Sequence, residues 1–230
     1  MNNKSRLDVV NGHAILANTT PTAFWTLFHI LSDPELLEEV REQVMPLLTA
    51  EDVNGTLART ICINKIRDVP ILNSILHESL RHHACGTNAR IVLEDTMLDN
   101  RYLLKKNSFI FMPNHSYHFN DAVWGPTVKD FDAGRFLKGN NSTHHAGAFR
   151  GFGGGVNLCP GRFFAMNEIL SMCAMFALRF DVKPALEKNW IYPGEDNSNM
   201  SFIVNPPKRK VVVSVMERKG WKGGSWTFKF

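Results

Sequence analysis

One cysteine of this chain, Cys159, stands where its thiol could do chemistry. It lies in the stretch FGGGVNLCPGRFFA, between three consecutive glycines and an apolar run. Glycine adopts backbone conformations that other residues avoid, so Gly153–Gly155 lets the chain approach a bulky group closely. Pro160 suits the first turn of a helix, and a helix N-terminus places partial positive charge beside the sulfur. The pattern therefore favours a thiolate at Cys159.

A thiolate beside a glycine loop serves as a nucleophile or as a metal ligand. A nucleophile needs a base, and no nearby cysteine–histidine pairing suggests one. A single cysteine ligand beside an open loop suits haem iron. The alternative is an inert buried cysteine at the start of a helix. The other cysteines fit no zinc-binding spacing and are expected to be reduced thiols: Cys62, Cys85 and Cys173.

A second candidate group is the pair Glu78 and Arg81 in the stretch HESLR. The two residues lie three apart on a predicted helix, so their side chains share one face and can form an ion pair. On the local sequence alone, a solvated surface pair is the favoured interpretation. If the pair is buried, it is costly unless every hydrogen-bonding group on it finds a partner.

A third candidate group is the stretch ANTTPT, which lies inside an apolar helical segment. Pro21 has no N–H and leaves the carbonyl of Ala17 without its usual partner, so the helix should kink or open there. Thr19 and Thr20 bring hydroxyls to the same point. The alternative is a kinked buried helix whose hydroxyls bond back to helix carbonyls.

The cysteine stretch resembles the haem-binding loop of the cytochrome P-450 family, whose pattern is F-x-x-G-x-[R/H]-x-C-x-G. Phe152, Gly155, Cys159 and Gly161 match this pattern. The resemblance implies a haem cofactor with Cys159 as its axial ligand. Asn157 replaces the Arg or His that helps neutralise a haem propionate in the family, so only a hydrogen bond remains possible there.

The pair Glu78 and Arg81 resembles the E-x-x-R motif of the same family. In that family the pair is buried and is joined by an arginine from a later segment, which Arg135 in FDAGRF matches. Ala133 and Gly134 depart from the family pattern beside it. The resemblance implies that these three charged residues order the loop under the haem and take no part in catalysis.

Two further assignments follow from the resemblance. Arg90, which opens a predicted strand, matches a basic residue that binds a haem propionate. Thr19 matches the threonine of the oxygen-binding helix that supports proton delivery, while Asn18 replaces the acid and Leu16 the glycine of that motif. Asn18 makes this stretch similar to the sterol- and prostanoid-handling branches of the family.

The resemblance implies a haem-thiolate monooxygenase that inserts one oxygen atom of O2 into a lipophilic substrate, with an NADPH-dependent reductase as electron donor. Asn18 also motivates a haem-thiolate isomerase or dehydratase. A third possibility is a truncated, non-catalytic haem-binding fragment. By family analogy the substrate contacts are expected at Ile15 and Leu16, at Cys85–Ala89, and near Asn199 and Met200.

Length and composition are those of an ordinary globular protein, enough for one large core or two small ones. The chain has 230 residues, 44% hydrophobic, and a net charge of +4, which is too mild to indicate a nucleic-acid partner. Family members are much longer, so residues 1–230 are expected to be a C-terminal portion of the fold that lacks the N-terminal half and any anchor. The full-length parent is expected at the cytosolic face of the endoplasmic reticulum membrane.

The elements that must position these residues are mainly helices with small β-sheets, an α+β class. Apolar periodicity predicts four helices: Val9–Leu31, a stretch from Leu36 that ends near Pro46, Asp68–His83 and Gly161–Phe180. Ser32 with Glu35 predicts a capping box at the start of the second helix. A loop and a short helix are expected over 49–65. Strands are expected within 89–112, around a turn at Asp99–Asn100, and at 200–204 and 210–216.

The histidines carry no predicted metal site. His82–His83 and His144–His145 are adjacent pairs, and no carboxylate near His115 and His118 completes a ligand set.

Overall fold

The computed structural model describes residues 3–139, 147–198 and 202–229, without the side chains of residues 3–11 and 13–15. Within these ranges the protein is mainly helical with several small β-sheets, so the predicted fold class is confirmed. The helices are α1 (Asn3–Ser32), α2 (Pro34–Val44), α3 (Pro70–His83), α4 (Asn114–His118), α5 (Asp121–Trp124) and α6 (Arg162–Arg179). The strands are β1 (Leu48–Val53), β2 (Thr56–Cys62), β3 (Thr87–Ile91), β4 (Thr96–Leu98), β5 (Tyr102–Leu104), β6 (Phe109–Pro113), β7 (Phe180–Pro184), β8 (Val213–Glu217) and β9 (Ser225–Lys229).

The core lies where α1, α2, α3 and α6 pack together. The apolar stripe predicted on α3 is buried, with at most 2% exposure at Ile71, Leu72, Ile75 and Leu76. Full burial of such a side chain contributes about 1.5–3 kcal/mol each. The buried apolar face of α3 therefore anchors the helix in the core. This anchoring fixes the positions of the polar side chains that the helix carries.

α1 continues through Pro21, where the sequence predicts a kink or an opening. The hydroxyl of Thr22 donates to the carbonyl of Asn18 over 2.7 Å, and the hydroxyl of Thr26 donates to the carbonyl of Thr22 over 2.8 Å. Two hydroxyl groups that follow Pro21 thus bond back to carbonyls of the preceding turn. The helix does not open at the proline.

The predicted capping box at the start of α2 is wrong by one residue. Asp33, not Ser32, is the N-cap, and its carboxylate accepts from the backbone N–H groups of Glu35 and Leu36. Ser32 remains the last residue of α1, so it cannot take the extended conformation that an N-cap needs. Pro34 occupies the first helical turn as expected.

The prediction of a loop and a short helix over 49–65 is also wrong for most of that range. Strands β1 and β2 form an antiparallel hairpin there, and only Ile63–Asp68 is a 3-10 helix. The turn is Asn54–Gly55, with φ of 54° and 78°. This dipeptide suits a two-residue hairpin turn because both positions need a left-handed backbone. The sequence thus carries a hairpin signal at this point, which the expectation of a loop and a short helix leaves out.

The other sheets are small. β3 pairs antiparallel with β6, β4 with β5 around the predicted turn at Asp99–Asn100, and β7 with β8, while β9 runs parallel to β2. The strand expected at 210–216 is β8. The strand expected at 200–204 lies partly outside the described residues, and its end makes a single bridge between Val204 and Ala84.

Three charged side chains lie inside the helical core. Arg81 donates from Nε and Nη2 to the two carboxylate oxygens of Glu78, both over 2.7 Å, and Arg135 donates from Nε to Glu78 Oε1 over 3.0 Å. Glu78 and Arg81 are fully buried, and Arg135 is 4% exposed. The surface ion pair that the local sequence also allowed is therefore not what forms.

The two arginines have further donors, and these bind one irregular segment. The acceptors are the carbonyls of His118, Val128 and Asp130 for Arg81, and those of Thr127 and Asp130 for Arg135. The N–H of Asp132 donates to Glu78 Oε1. Residues 118–135 contain little regular structure, so these bonds to charged groups fix the path of the segment against α3.

We predict that Glu78→Gln destabilises the protein by about 3–5 kcal/mol, because it leaves two buried guanidinium groups without their counter-ion. Urea unfolding measures the loss. Glu217→Gln is the matched control, since Glu217 pairs with Arg179 over 2.7 Å at the surface, and we expect a much smaller loss there. Equal losses in the two variants contradict the prediction.

Candidate cofactor-binding site

The cysteine loop is the segment 151–161 before α6. Cys159 lies two residues before the helix cap at Gly161, and its thiol is free and partly exposed. Its N–H donates to the carbonyl of Phe152 over 2.9 Å, and its own carbonyl accepts from the guanidinium of Arg162 over 2.9 Å. The backbone of Cys159 is therefore fixed on both sides while the sulfur remains available.

Two of the three glycines are required by backbone conformation. Gly153 and Gly155 have φ of 79° and 62°, in the left-handed region that other residues rarely adopt. At Gly154 a Cβ would overlap the guanidinium of Arg150, the mobile end of a flexible side chain that would have to shift. The glycine run thus lets the loop fold back tightly, and it also brings Arg150 against the backbone.

Exposed apolar side chains flank Cys159 along the chain. Val156 is fully exposed and Leu158 is 41% exposed before it, and Phe163 and Phe164 are at least half exposed after it. A partly exposed thiol with exposed apolar neighbours in sequence fits a large, mostly apolar group that carries one metal ion. The residues present therefore fit haem, as the sequence predicts.

Helix α3 supports the cysteine loop directly. A Cβ on Gly151 would lie 2.8 Å from Cβ of Leu80 and 2.5 Å from the ring of Phe149, so the loop backbone packs closely on the helix. The ring of Phe152 lies edge-to-face with His77 at 6.4 Å between centroids. Both contacts place the loop on the helix that carries Glu78 and Arg81.

His118 joins the charged triad to the cysteine loop. Its carbonyl accepts from Arg81 over 2.7 Å, and its ring Nε2 accepts from the N–H of Arg150 over 2.9 Å. The carbonyl of Arg150 in turn accepts from the N–H of Gly153. Burial, together with Arg81, lowers the pKa of His118 to about 4, so the ring is neutral at neutral pH and its Nε2 can accept.

The two residues assigned to haem propionates lie on different elements. Arg90 lies on β3, half-buried, and its guanidinium donates to the carbonyl of its neighbour Ala89 over 2.7 Å. Asn157 is exposed, in the 3-10 turn of the cysteine loop. Among the described residues no hydrogen bond joins Arg90 to Asn157, so the structure does not bring them together.

Asn18 and Thr19 lie next to each other on α1, partly buried. The side-chain carbonyl of Asn18 accepts from the N–H of Ile203 over 3.0 Å. The carbonyl of Ile203 accepts from the N–H groups of Cys85 and Gly86, over 2.8 and 3.2 Å. α1, the connector after α3 and the C-terminal tail therefore meet at one residue.

This junction brings together three segments that the sequence assigns to the substrate. Leu16 is 70% exposed on α1, and the connector Cys85–Ala89 begins at the junction. Asn199, Met200 and the side chain of Ile15 lie outside the described residues. Sequence reasoning missed Ile203, and the only signal for it was Gly86, where a Cβ would lie 2.8 Å from Cγ2 of Ile203.

Within the described part of the chain, no helix has the length and apolar character that crossing a lipid bilayer requires.

In comparisons with known proteins, the family model and the similar curated proteins belong to the same family. The model of the family described as Cytochrome P450 matches residues 14–213. A similar curated protein is Cytochrome P450 monooxygenase nodJ of Hypoxylon pulicicidum, 37% identical over 98% of this chain and 46% of its own length. The human 7-alpha-hydroxycholest-4-en-3-one 12-alpha-hydroxylase is 31% identical over 84% of this chain and 41% of its own length.

A rabbit protein, Cytochrome P450 7A1 of Oryctolagus cuniculus, is 29% identical over 83% of this chain and 41% of its own length. The chain thus spans less than half the length of these relatives.

We predict that Asn18→Ala exposes the amide of Ile203 to solvent exchange, because the amide loses the side-chain oxygen to which it donates. One such hydrogen bond is worth about 1 kcal/mol, so exchange at residues 202–205 should be about fivefold faster. Hydrogen–deuterium exchange with mass spectrometry measures this. Asn18→Asp keeps an oxygen acceptor in the same place and should exchange like the wild type. Unchanged exchange in Asn18→Ala contradicts the prediction.

Proposed function

Because this chain belongs to the cytochrome P450 family, we propose that it is the haem-binding part of a haem-thiolate monooxygenase. The observation that carries the proposal is the free, partly exposed thiol of Cys159, whose backbone is held by a hydrogen bond and whose neighbours in sequence include exposed apolar side chains. The reaction proposed is insertion of one oxygen atom of O2 into a lipophilic organic substrate.

We assign the cofactor contacts to residues of two segments. The thiolate of Cys159 is the iron ligand, and Phe152, Gly155 and Gly161 shape the loop around it. A methyl group added at Gly161 would lie 4.0 Å from Sγ of Cys159, so this position borders the sulfur. When bound, haem with a thiolate ligand supplies the redox chemistry that activates dioxygen.

The propionates of the haem are assigned to Arg90 and Asn157. Arg90 supplies the charge, and its guanidinium has donors beyond the one that binds Ala89. Asn157 is uncharged and supplies a hydrogen bond only. Arg90 therefore carries most of the proposed charge pairing.

On α1, Thr19 is assigned to proton delivery, with its hydroxyl oxygen as the atom that holds the proton. Asn18 is assigned a different task from the acid that it replaces. Its side-chain carbonyl is occupied by the N–H of Ile203. This contact supports a role in holding the tail beside the proton-delivering hydroxyl.

The substrate and partners follow from the family. The name of the human relative describes hydroxylation of a cholestenone, which supports a lipophilic substrate for this chain. An NADPH-dependent reductase is proposed as electron donor, and the full-length parent is proposed at the endoplasmic reticulum membrane. Turnover without a reductase would instead favour the isomerase or dehydratase alternative.

We predict a thiolate-type Soret band in the reduced carbon monoxide difference spectrum of the haem-loaded chain. Cys159→Ser removes the thiolate and should abolish this band. Cys62→Ser is the matched control, because Cys62 is also a free, partly buried thiol but lies on β2, and it should keep the band. A wild-type chain without the band, or a Cys159→Ser variant that keeps it, contradicts the assignment of Cys159.

We predict that Arg90→Ala weakens haem retention about tenfold, the equivalent of about 1.4 kcal/mol for one charge-assisted hydrogen bond. Haem transfer to an apo-globin acceptor measures the loss. Arg101→Ala is the control, because Arg101 lies in the neighbouring β4–β5 turn over the ring of Tyr102. Equal retention in the two variants contradicts the assignment of Arg90.

A further inference from the structure

A second polar cluster lies where the end of α3 meets the C-terminal tail. His82, His83 and Glu195 each offer one ligand atom, and these three atoms lie within 4.8 Å of one another. We propose that this histidine–glutamate cluster binds a divalent transition-metal ion such as Zn2+. Two histidines and one glutamate form a ligand set that zinc uses in proteins, with a fourth position left open. The proposal does not depend on the haem function proposed above.

His82 carries the most direct observation. Its Nδ1 is buried and has no hydrogen-bond partner among the described residues. Its Nε2 lies 3.1 Å from the carbonyl of Lys129, which can only accept, so Nε2 carries the ring proton. Nδ1 therefore presents a lone pair, and a buried lone pair without a partner costs free energy that a metal ion would recover.

His83 is held by stacking and by both of its ring nitrogens. Its ring lies parallel to that of Trp25, with 4.0 Å between centroids. Nδ1 lies 2.8 Å from Glu195 Oε1, and Nε2 lies 3.0 Å from Nε2 of His29. When an ion replaces the proton between Nδ1 and Glu195, the Nε2–H of His83 donates to His29. Metal-binding histidines use such a second hydrogen bond to fix the ring.

Glu195 is fixed by neighbours that leave it ionised. Asn205 donates to Oε2 over 3.0 Å, and the hydroxyl of Tyr192 donates to Oε1 over 3.1 Å. Burial opposes ionisation, but the hydrogen bonds from His83 and Asn205 outweigh it and hold the pKa of Glu195 below its usual range. The carboxylate is thus charged and oriented at neutral pH.

The cluster opens into a cavity of about 480 Å³ at the end of α3. The cavity gives an ion a way in and leaves room for a water or another ligand at the fourth position. His115 and Cys85 also line it, and no residue of the cysteine loop does so. An ion here would join α3 to the tail, since Glu195 lies 112 residues after His83.

Equilibrium dialysis against Zn2+, with the bound metal measured by atomic absorption, tests the proposal on the purified chain. We expect one Zn2+ per wild-type chain. His82→Gln and Glu195→Gln should each weaken binding by at least about tenfold, the loss that follows even from changing a second-layer partner of a metal ligand. Glu195→Gln keeps a side-chain oxygen for Asn205, so it preserves the fold around the site.

Two controls separate this cluster from other Zn2+ ligands. In the first control, His115→Gln, the changed residue lines the same cavity but lies outside the cluster. In the second, Cys159→Ser, the thiol assigned to haem is removed. Both variants should bind Zn2+ like the wild type. Zn2+ should also raise the melting temperature of the wild type more than that of Glu195→Gln.

Wild-type binding no stronger than that of the double variant His82→Gln/Glu195→Gln overturns the proposal. Loss of Zn2+ binding in Cys159→Ser also overturns it, because the ion would then be on the thiolate. Neither result bears on the carbon monoxide spectrum, so this proposal and the haem assignment fail separately.

Discussion

Glu78, Arg81 and Arg135 carry three charges into the interior, where every donor and acceptor on them must find a partner. One carboxylate cannot occupy all the N–H groups of two guanidiniums. The remaining donors bind backbone carbonyls between His118 and Asp130. Satisfying a small buried charge cluster therefore fixes a long irregular segment, and His118 passes that constraint to Arg150 and the cysteine loop.

Apolar packing alone would hold this segment less specifically. Buried ion clusters contribute little net stability compared with apolar side chains of similar volume, but breaking one is costly. Residues 118–135 have only short helical turns, so few of their carbonyls are satisfied by regular structure. The arginines supply those partners in a single geometry. We infer that the cluster serves to position the loop that holds the thiol of Cys159.

The sequence indicated features that depend on near neighbours. The apolar stripe of α3, the glycine loop and the start of α6 are each determined by residues that lie close together in the sequence. The fold class follows from these features. The capping-box spacing of Ser32 and Glu35 predicts Ser32 as the cap, but α1 runs through Ser32 and Asp33 takes that place. The expectation of a loop and a short helix over 49–65 leaves out the turn signal at Asn54–Gly55. The contacts of Asn18 with Ile203 and of His83 with Glu195 span 185 and 112 residues, and no local pattern encodes them.

Asn205 connects the two sites that the tail helps to build. Its amide N–H2 donates to Glu195, and its side-chain carbonyl accepts from the thiol of Cys85 over 2.8 Å. Its backbone carbonyl accepts from the indole N–H of Trp25, the ring that stacks on His83. Cys85 also donates its backbone N–H to Ile203, which Asn18 holds. If Glu195 shifts toward a bound ion, Asn205 must therefore move with it. Asn205 is hydrogen-bonded to Cys85, the first residue of the connector assigned to the substrate.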